Sequence, residues 1–236
     1  MEIGARLHRR KNVIYYHVRK RFGLKIAKLT FDGRPNRRLG EFVGLYASDG
    51  SFSFDPKSYH YKLSLALSQN QLYYAKIVSR MMIKIFGKRP RLWIDKKQHY
   101  IVLRLYGMDI LRFLKKFIYW RGDKTHTIAL RAKTLRLGKP FLRGIVRGLV
   151  AGDGWVARRG PRVGFGVTSK RLASQYRDMF NLFGIETRWR EAKKRGRRTL
   201  YVVQVSRKSE VEKFKLRIGM TDPVKNRVLG ATQPRR

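Results

Sequence analysis

The sequence predicts a mixed α/β (α+β) fold of two tandem αββαββα repeats related by a pseudo-two-fold axis, each an antiparallel sheet covered by helices on one face. Two observations carry this expectation. "GLYASDG" (44–50) and "GLVAGDG" (148–154) agree at five of seven positions, and each closes a helix-like run. After each, the apolar period changes from helical to alternating and back in the same order.

A basic arm (1–37) precedes a first repeat (38–136) and a second (137–236). "RRLGEFVGLYAS" has helical periodicity and stops at Gly50. In "SFSFDPKSYHYKLSLALS", Phe52, Phe54, Tyr59, Tyr61, Leu63, Leu65 and Leu67 alternate with Ser51, Ser53, His60, Lys62, Ser64 and Ser68 around an Asp-Pro turn. That is a hairpin with one apolar and one polar face. "NQLYYAKIVSRMMIKIFG" is an amphipathic helix with a glycine stop. "RLWIDKKQHYIVLRLYG" is a second hairpin and "MDILRFLKKFIYW" a third helix. The second half repeats the order. "KPFLRGIVRGLVAG" is a helix with Pro140 near its start, "WVARRGPRVGFGVTS" a hairpin turning at Arg-Gly-Pro, and "KRLASQYRDMFNLFG" a helix. "IETRWREAKKRGRRTLYVVQVS" is a long hairpin with a basic tip, and "KSEVEKFKLRIG" the closing helix.

Lys plus Arg number 56 against 15 Asp plus Glu, a formal charge of +41 on 236 residues. Such self-repulsion calls for a polyanionic partner, and nucleic acid fits best. A membrane surface fits less well, because the cations are spread along the chain and every long apolar run is broken by Lys or Arg. With 43% hydrophobic and 12% aromatic residues the chain folds, so it is not a basic disordered tail. The absence of Cys excludes disulfides and thiolate metal sites and is compatible with an intracellular protein. The five His (8, 17, 60, 99, 126) lack zinc-ligand spacing.

On the hairpins, Lys62, Arg91, Arg104, Arg158, Arg162, Arg188, Arg190 and Arg198 stand among Ser, Thr and Gln. Cations that neutralise phosphate are thereby mixed with groups able to bond base edges, as β-ribbons in a major groove require. Arg158, Arg159, Lys193, Lys194, Arg195, Arg197 and Arg198 at hairpin tips suit backbone phosphates.

An Asp at a helix C-terminus meets the negative end of the dipole, so something cationic must compensate Asp49 and Asp153. Small residues allow the two helices to pack closely, with Gly44, Ala47 and Ser48 facing Gly148, Ala151 and Gly152. Their ends then deliver both carboxylates to one place. A pair of hard oxygen ligands among cations suits a Mg²⁺ site for phosphodiester hydrolysis.

"FVGLYASDG" (42–50) and "VRGLVAGDG" (146–154) resemble the two motifs of the LAGLIDADG homing endonuclease family, and the resemblance spans roughly residues 38 to 230. Both depart from its pattern at Ala47 and Ala151, but the acid that the family uses for metal is kept as Asp49 and Asp153. The resemblance implies a monomeric, Mg²⁺-dependent endodeoxyribonuclease, with Mn²⁺ able to substitute. It would bind a long, imperfectly palindromic double-stranded site in a saddle of two sheets, cut both strands across the minor groove and leave short 3′ overhangs. It also implies a polar residue after the first hairpin, matched by Gln69 and less clearly by Ser169 or Lys170. Basic residues after the last helix of each repeat are matched by Lys124 and Lys225, which would order the attacking water and stabilise the phosphorane. Family habit implies a prokaryotic cytoplasm or nucleoid, or an organelle. Two alternatives share the fold: an intron maturase with RNA as partner, and a DNA-binding regulator without catalysis.

Overall fold

A computed structural model of the chain describes residues 33–231 except 56–59, 96–98 and 194, together with the single residues Val13, His17 and Arg21. The expected basic arm and Lys194 therefore fall largely or wholly outside the described residues.

Asn36 opens the first helix, α1 (Arg37–Asp49), its side-chain oxygen accepting from the Leu39 amide at 2.9 Å. The alternating segment that follows forms β1 (Gly50–Asp55) and β2 (His60–Ser68) in the register Gly50↔Leu65. Leu63, Leu65 and Leu67 are buried, while Ser64 and Ser68 lie on the opposite face. Helix α2 (Leu72–Phe86) ends at Gly87, whose φ of +63° suits a residue without Cβ. Strands β3 (Arg91–Asp95) and β4 (Tyr100–Tyr106) complete a sheet of order β1-β2-β4-β3.

Helix α3 (Met108–Leu114) is shorter than expected. The chain turns at Lys115 to Phe117, and β5 (Ile118–Tyr119) pairs with β6 (Ala129–Leu130) around the single-turn α4 (Lys124–Thr127). Burying Ile118 and Leu130 in this ladder outweighs continued helix, which would carry Lys115 and Lys116 on with it.

The second half has α5 (Lys139–Ala151), β7 (Gly154–Val156), β8 (Val163–Val167), α6 (Lys170–Leu182), β9 (Arg188–Ala192), β10 (Leu200–Val205) and α7 (Lys208–Arg217). Its sheet order, β7-β8-β10-β9, repeats that of the first. An additional helix, α8 (Pro223–Ala231), follows α7, so the expected closing helix is not the last.

One apolar core joins the halves. Phe86, Phe113, Phe117 and Phe141 form a chain of ring contacts 5.4–6.0 Å apart that passes from the first repeat into the second. At its centre α1 and α5 lie backbone against backbone. A Cβ on Gly40 would collide with the Phe141 carbonyl and one on Gly44 with that of Ile145. Reciprocally, a Cβ on Gly144 would strike the Arg37 carbonyl, and one on Gly148 that of Glu41. The matched order of these contacts makes the helices parallel, so both C-termini emerge at one end. The sequence reading identified Gly44 and Gly148 but missed Gly40 and Gly144, one turn earlier.

Candidate functional site

Asp49 ends α1, and Asp153 lies two residues past α5. Both line a cleft of about 360 Å³ whose walls come from β1 on one side and from β8 and Leu200 of β10 on the other. Gly152 makes the approach possible, because a Cβ there would collide with Ser48 Oγ and the Asp49 carboxylate. Burial, followed by the negative charge of Asp153, pushes the Asp49 carboxyl from 3.8 to about 7 against the pull of Lys225 and Lys124. Asp153 opens to solvent at the cleft mouth. Crowding by protein still raises its pKa, against the pull of Lys124 and Lys225.

The cations that the helix ends require are these two lysines. Lys124 Nζ donates to the Gly50 carbonyl at 2.6 Å and the Ala47 carbonyl at 3.1 Å, and sits 5.0 Å from the Tyr46 ring centre. Lys225 Nζ, carried by α8, donates to the carbonyls of Ala151 (2.6 Å), Gly154 (2.7 Å), Val150 (2.9 Å) and Gly152 (3.2 Å). Each ammonium thus caps the motif helix of its own repeat. Burial lowers Lys124 to about 8, opposed by Asp153 and Asp49; it lowers Lys225 as well, opposed first by Asp222.

The other expected site residues are placed differently. Gln69 is exposed, does not line the cleft, and has its amide oxygen 3.1 Å from His99 Nδ1. Ser169 is buried; its hydroxyl accepts from the Leu172 amide as the α6 cap and donates to the Ile128 carbonyl at 2.6 Å. Lys170 is exposed at the start of α6. Thr125 and Thr168 line the cleft and were not anticipated.

The outer faces of the two sheets carry the expected basic residues. Lys62, Arg104 and Arg91 share one face of the first sheet, since Lys62 opposes Tyr106 and Arg104 opposes both Ser64 and Arg91. The Arg104 guanidinium lies 5.0 Å from the Trp93 ring and that of Arg91 lies 5.5 Å from Tyr106. Arg188 and Arg190 oppose Gln204 and Val202 on the second sheet. Arg158, Arg159 and Arg162 are exposed at the β7–β8 turn, and Lys193, Arg195, Arg197 and Arg198 at the β9–β10 tip. The aromatic content of these faces was missed: Trp93 is 46% exposed and Trp155 37%, the latter covering Gly164, where a Cβ would lie 2.6 Å from its ring.

Residues 140–219 match the family model of the LAGLIDADG-like domain. The chain has the LAGLIDADG fold. It is similar to the crystal structure of I-DmoI in complex with DNA and Ca, with a TM-score of 0.61 at 13% identity, covering 84% of this chain and 98% of that one. It is also similar to mesophilic variants of the homing endonuclease I-DmoI, with a TM-score of 0.58 at 13% identity over 77% of this chain and 95% of that one. Full-length DUF199/WhiA from Thermatoga maritima matches with a TM-score of 0.55 at 13% identity, over 88% of this chain and 64% of that one. No curated protein matches by sequence. In this fold the two acids are the next-to-last residues of the repeated segments 42–50 and 146–154.

Among the described residues no group of three or more His, Cys, Asp or Glu could hold a metal. A Mg²⁺ ion asks for less, because it is commonly held by one or two carboxylates, with water and phosphate oxygens completing its shell. Asp49 and Asp153, two hard oxygen ligands brought to one cleft, fit that need.

The pH dependence of stability follows from Asp49. In the unfolded chain its carboxyl titrates near 3.8, whereas in the folded metal-free protein it holds its proton up to about 7. Between these values the folded state binds more protons, so its stability falls as pH rises through the window. Asp49→Asn is therefore expected to raise the thermal midpoint of the metal-free protein at pH 8. The gain should shrink toward pH 4, as measured by scanning calorimetry in chelator.

Proposed function

We propose that the chain is a Mg²⁺-dependent, site-specific double-strand DNA endonuclease acting as a monomer. The observation that supports this most is the pair of acids brought to one cleft by glycine-packed parallel helices, flanked by two sheets with basic outer faces. Asp49 and Asp153 would hold the ion. When bound, it supplies a more acidic water and neutralises charge on the departing 3′ oxygen.

The chain's own groups do the rest. Lys124 and Lys225 fix the carbonyl-lined ends of α1 and α5, holding the carboxylates in register and placing positive charge beside the phosphate. Arg188, Arg190 and Gln204 on one sheet and Arg91, Arg104 and Lys62 on the other face the major groove on either side of the cut. The exposed tips, Arg158, Arg159, Arg195, Arg197 and Arg198, hold backbone phosphates. Cleavage across the minor groove with short 3′ overhangs, at a long imperfect palindrome, is the product pattern that the resemblance to homing endonucleases implies.

Neither the geometry nor the likenesses point to intron RNA, so the maturase alternative is not carried forward. The basic outer faces of the two sheets would serve DNA binding without hydrolysis equally well, and this is the second reading. Products of supercoiled DNA carrying a bound site separate the two. Nicked and linear forms that appear with Mg²⁺ and vanish with chelator support the enzyme; retained supercoil with undiminished binding supports the second reading. Under either reading the binding constant should fall steeply between 50 and 200 mM salt, by about 10³-fold or more for six or more phosphate contacts. Fluorescence anisotropy over that range checks it. No helix among the described residues is long and apolar enough to cross a membrane.

A further inference from the structure

We infer that each lysine capping a motif helix is positioned by the opposite repeat, Lys225 through Gln71 and Lys124 through Thr168. The inference rests on the nuclease reading and extends it to how the two halves act together.

On one side, Asp222 is completely buried at the start of α8. Its Oδ1 accepts from the amides of Val224 (2.9 Å) and Lys225 (3.4 Å), which places the turn that carries Lys225. Its Oδ2 accepts from Gln71 Nε2 at 2.7 Å. Gln71 belongs to the first repeat, between β2 and α2, and its other amide atom accepts from the Ser68 amide at 3.1 Å. The Gln71 side chain is therefore held at both ends, bridging the end of a first-repeat strand to a second-repeat lysine.

The mirror arrangement starts from Asp123, which caps α4 by accepting from the Thr125 amide at 2.9 Å. The Thr125 carbonyl accepts from Thr168 Oγ1 at 2.9 Å, and Thr168 belongs to the second repeat. Because that hydroxyl proton is committed to Thr125, the His126 Nδ1 found 2.7 Å away must donate to the Thr168 oxygen. The next residue, Ser169, adds a 2.6 Å bond to the Ile128 carbonyl. The registers Gly50↔Leu65 and Gly154↔Phe165 make Ser68 and Thr168 equivalent, so both tethers start where the second strand of a repeat runs into its second helix.

Each lysine thus bonds to the motif helix of its own repeat while its supporting turn is clasped by the other. A shift of one half relative to the other displaces its partner's lysine, which couples the two halves of the cleft. Gln71 and Thr168 are positioning residues: neither is required to touch DNA.

Gln71→Met and Thr168→Val keep side-chain volume and remove only the bonds. Residue-resolved labelling of lysines by acetic anhydride, read by mass spectrometry on the metal-free protein, is the test. Gln71→Met should speed labelling of Lys225 by about tenfold, the factor expected for loss of one hydrogen bond to a carboxylate, and leave Lys124 unchanged. Thr168→Val should speed Lys124 and leave Lys225 unchanged. An equal response of both lysines, or none, overturns the inference; the two variants test it independently should one fail to fold. On strand-labelled target DNA, Gln71→Met should slow the same strand as Lys225→Met, and Thr168→Val the same strand as Lys124→Met, whereas equal slowing of both strands would contradict the coupling. Selective labelling in a protein that never cuts DNA would remove the nuclease reading alone. Cutting with unselective labelling would remove the tethers alone.

Discussion

Asp49→Asn and Asp153→Asn are each expected to abolish double-strand cleavage while binding stays as tight or tighter. A bound metal supplies several kcal/mol of charge stabilisation in phosphoryl chemistry, so losing a ligand should slow cleavage by about a thousandfold or more. Removing a carboxylate from beside the phosphates also removes a repulsion, and this is why affinity should not fall. Because α1 and α5 meet along glycine and not through the acids, Asn should fold without disturbing the packing. Cleavage time courses and anisotropy on the same duplex measure both effects; either variant cutting at the wild-type rate would remove its acid from the mechanism.

The largest effect on stability is expected at the centre of the helix pair. Alanine in a helix interior is favoured over glycine by about 1 kcal/mol, yet at Gly148 the added methyl would collide with the Glu41 carbonyl and come within 2.6 Å of the Leu45 amide. Backbone cannot give way as a flexible side chain can, so the helices must separate and the core around them must loosen. Gly148→Ala should cost about 3 kcal/mol despite the propensity gain, and Gly148→Leu should prevent folding. The control is Gly230 in α8, where an added Cβ meets nothing within 4 Å. There, alanine should be neutral or stabilise by up to about 1 kcal/mol. Urea unfolding of the two alanine variants gives the contrast directly, and equal midpoints would contradict the account of the interface.

The repeat, the two four-stranded sheets and the site-bearing helices were legible because each rests on a local period or a repeated motif. Gly40 and Gly144 were missed although they left a signal: Gly40 and Gly44, like Gly144 and Gly148, are four apart on one helix face, a spacing that lets backbones approach. Helix α8 also left a signal, since Asp222 followed by Pro223 is a cap with proline at the first helical position. The β5–β6 ladder left little trace, because two residues per strand are too few to show alternation and their partners, Ile118 with Leu130 and Tyr119 with Ala129, are separated by the intervening turn. The contact between Gln71 and Asp222 lies beyond sequence reading altogether, spanning 151 residues and following no period. The same limit explains Gln69. A polar residue at the end of a hairpin could be expected from the motif, but which of Gln69, Asn70 and Gln71 turns inward depends on the short 3₁₀ turn that they form. That turn sends Gln69 to His99 and Gln71 across to the other repeat.

The most direct test of the central claim, that the paired acids form one metal site for cutting both strands of a DNA site, is cleavage of a randomised duplex library with Mg²⁺, followed by sequencing of the new ends on each strand. The new ends should be enriched at one long, imperfectly palindromic sequence, with breaks on the two strands offset by a constant short 3′ overhang, and absent with Asp49→Asn. No enrichment over Asp49→Asn, in a protein that still selects a sequence by binding, would contradict it.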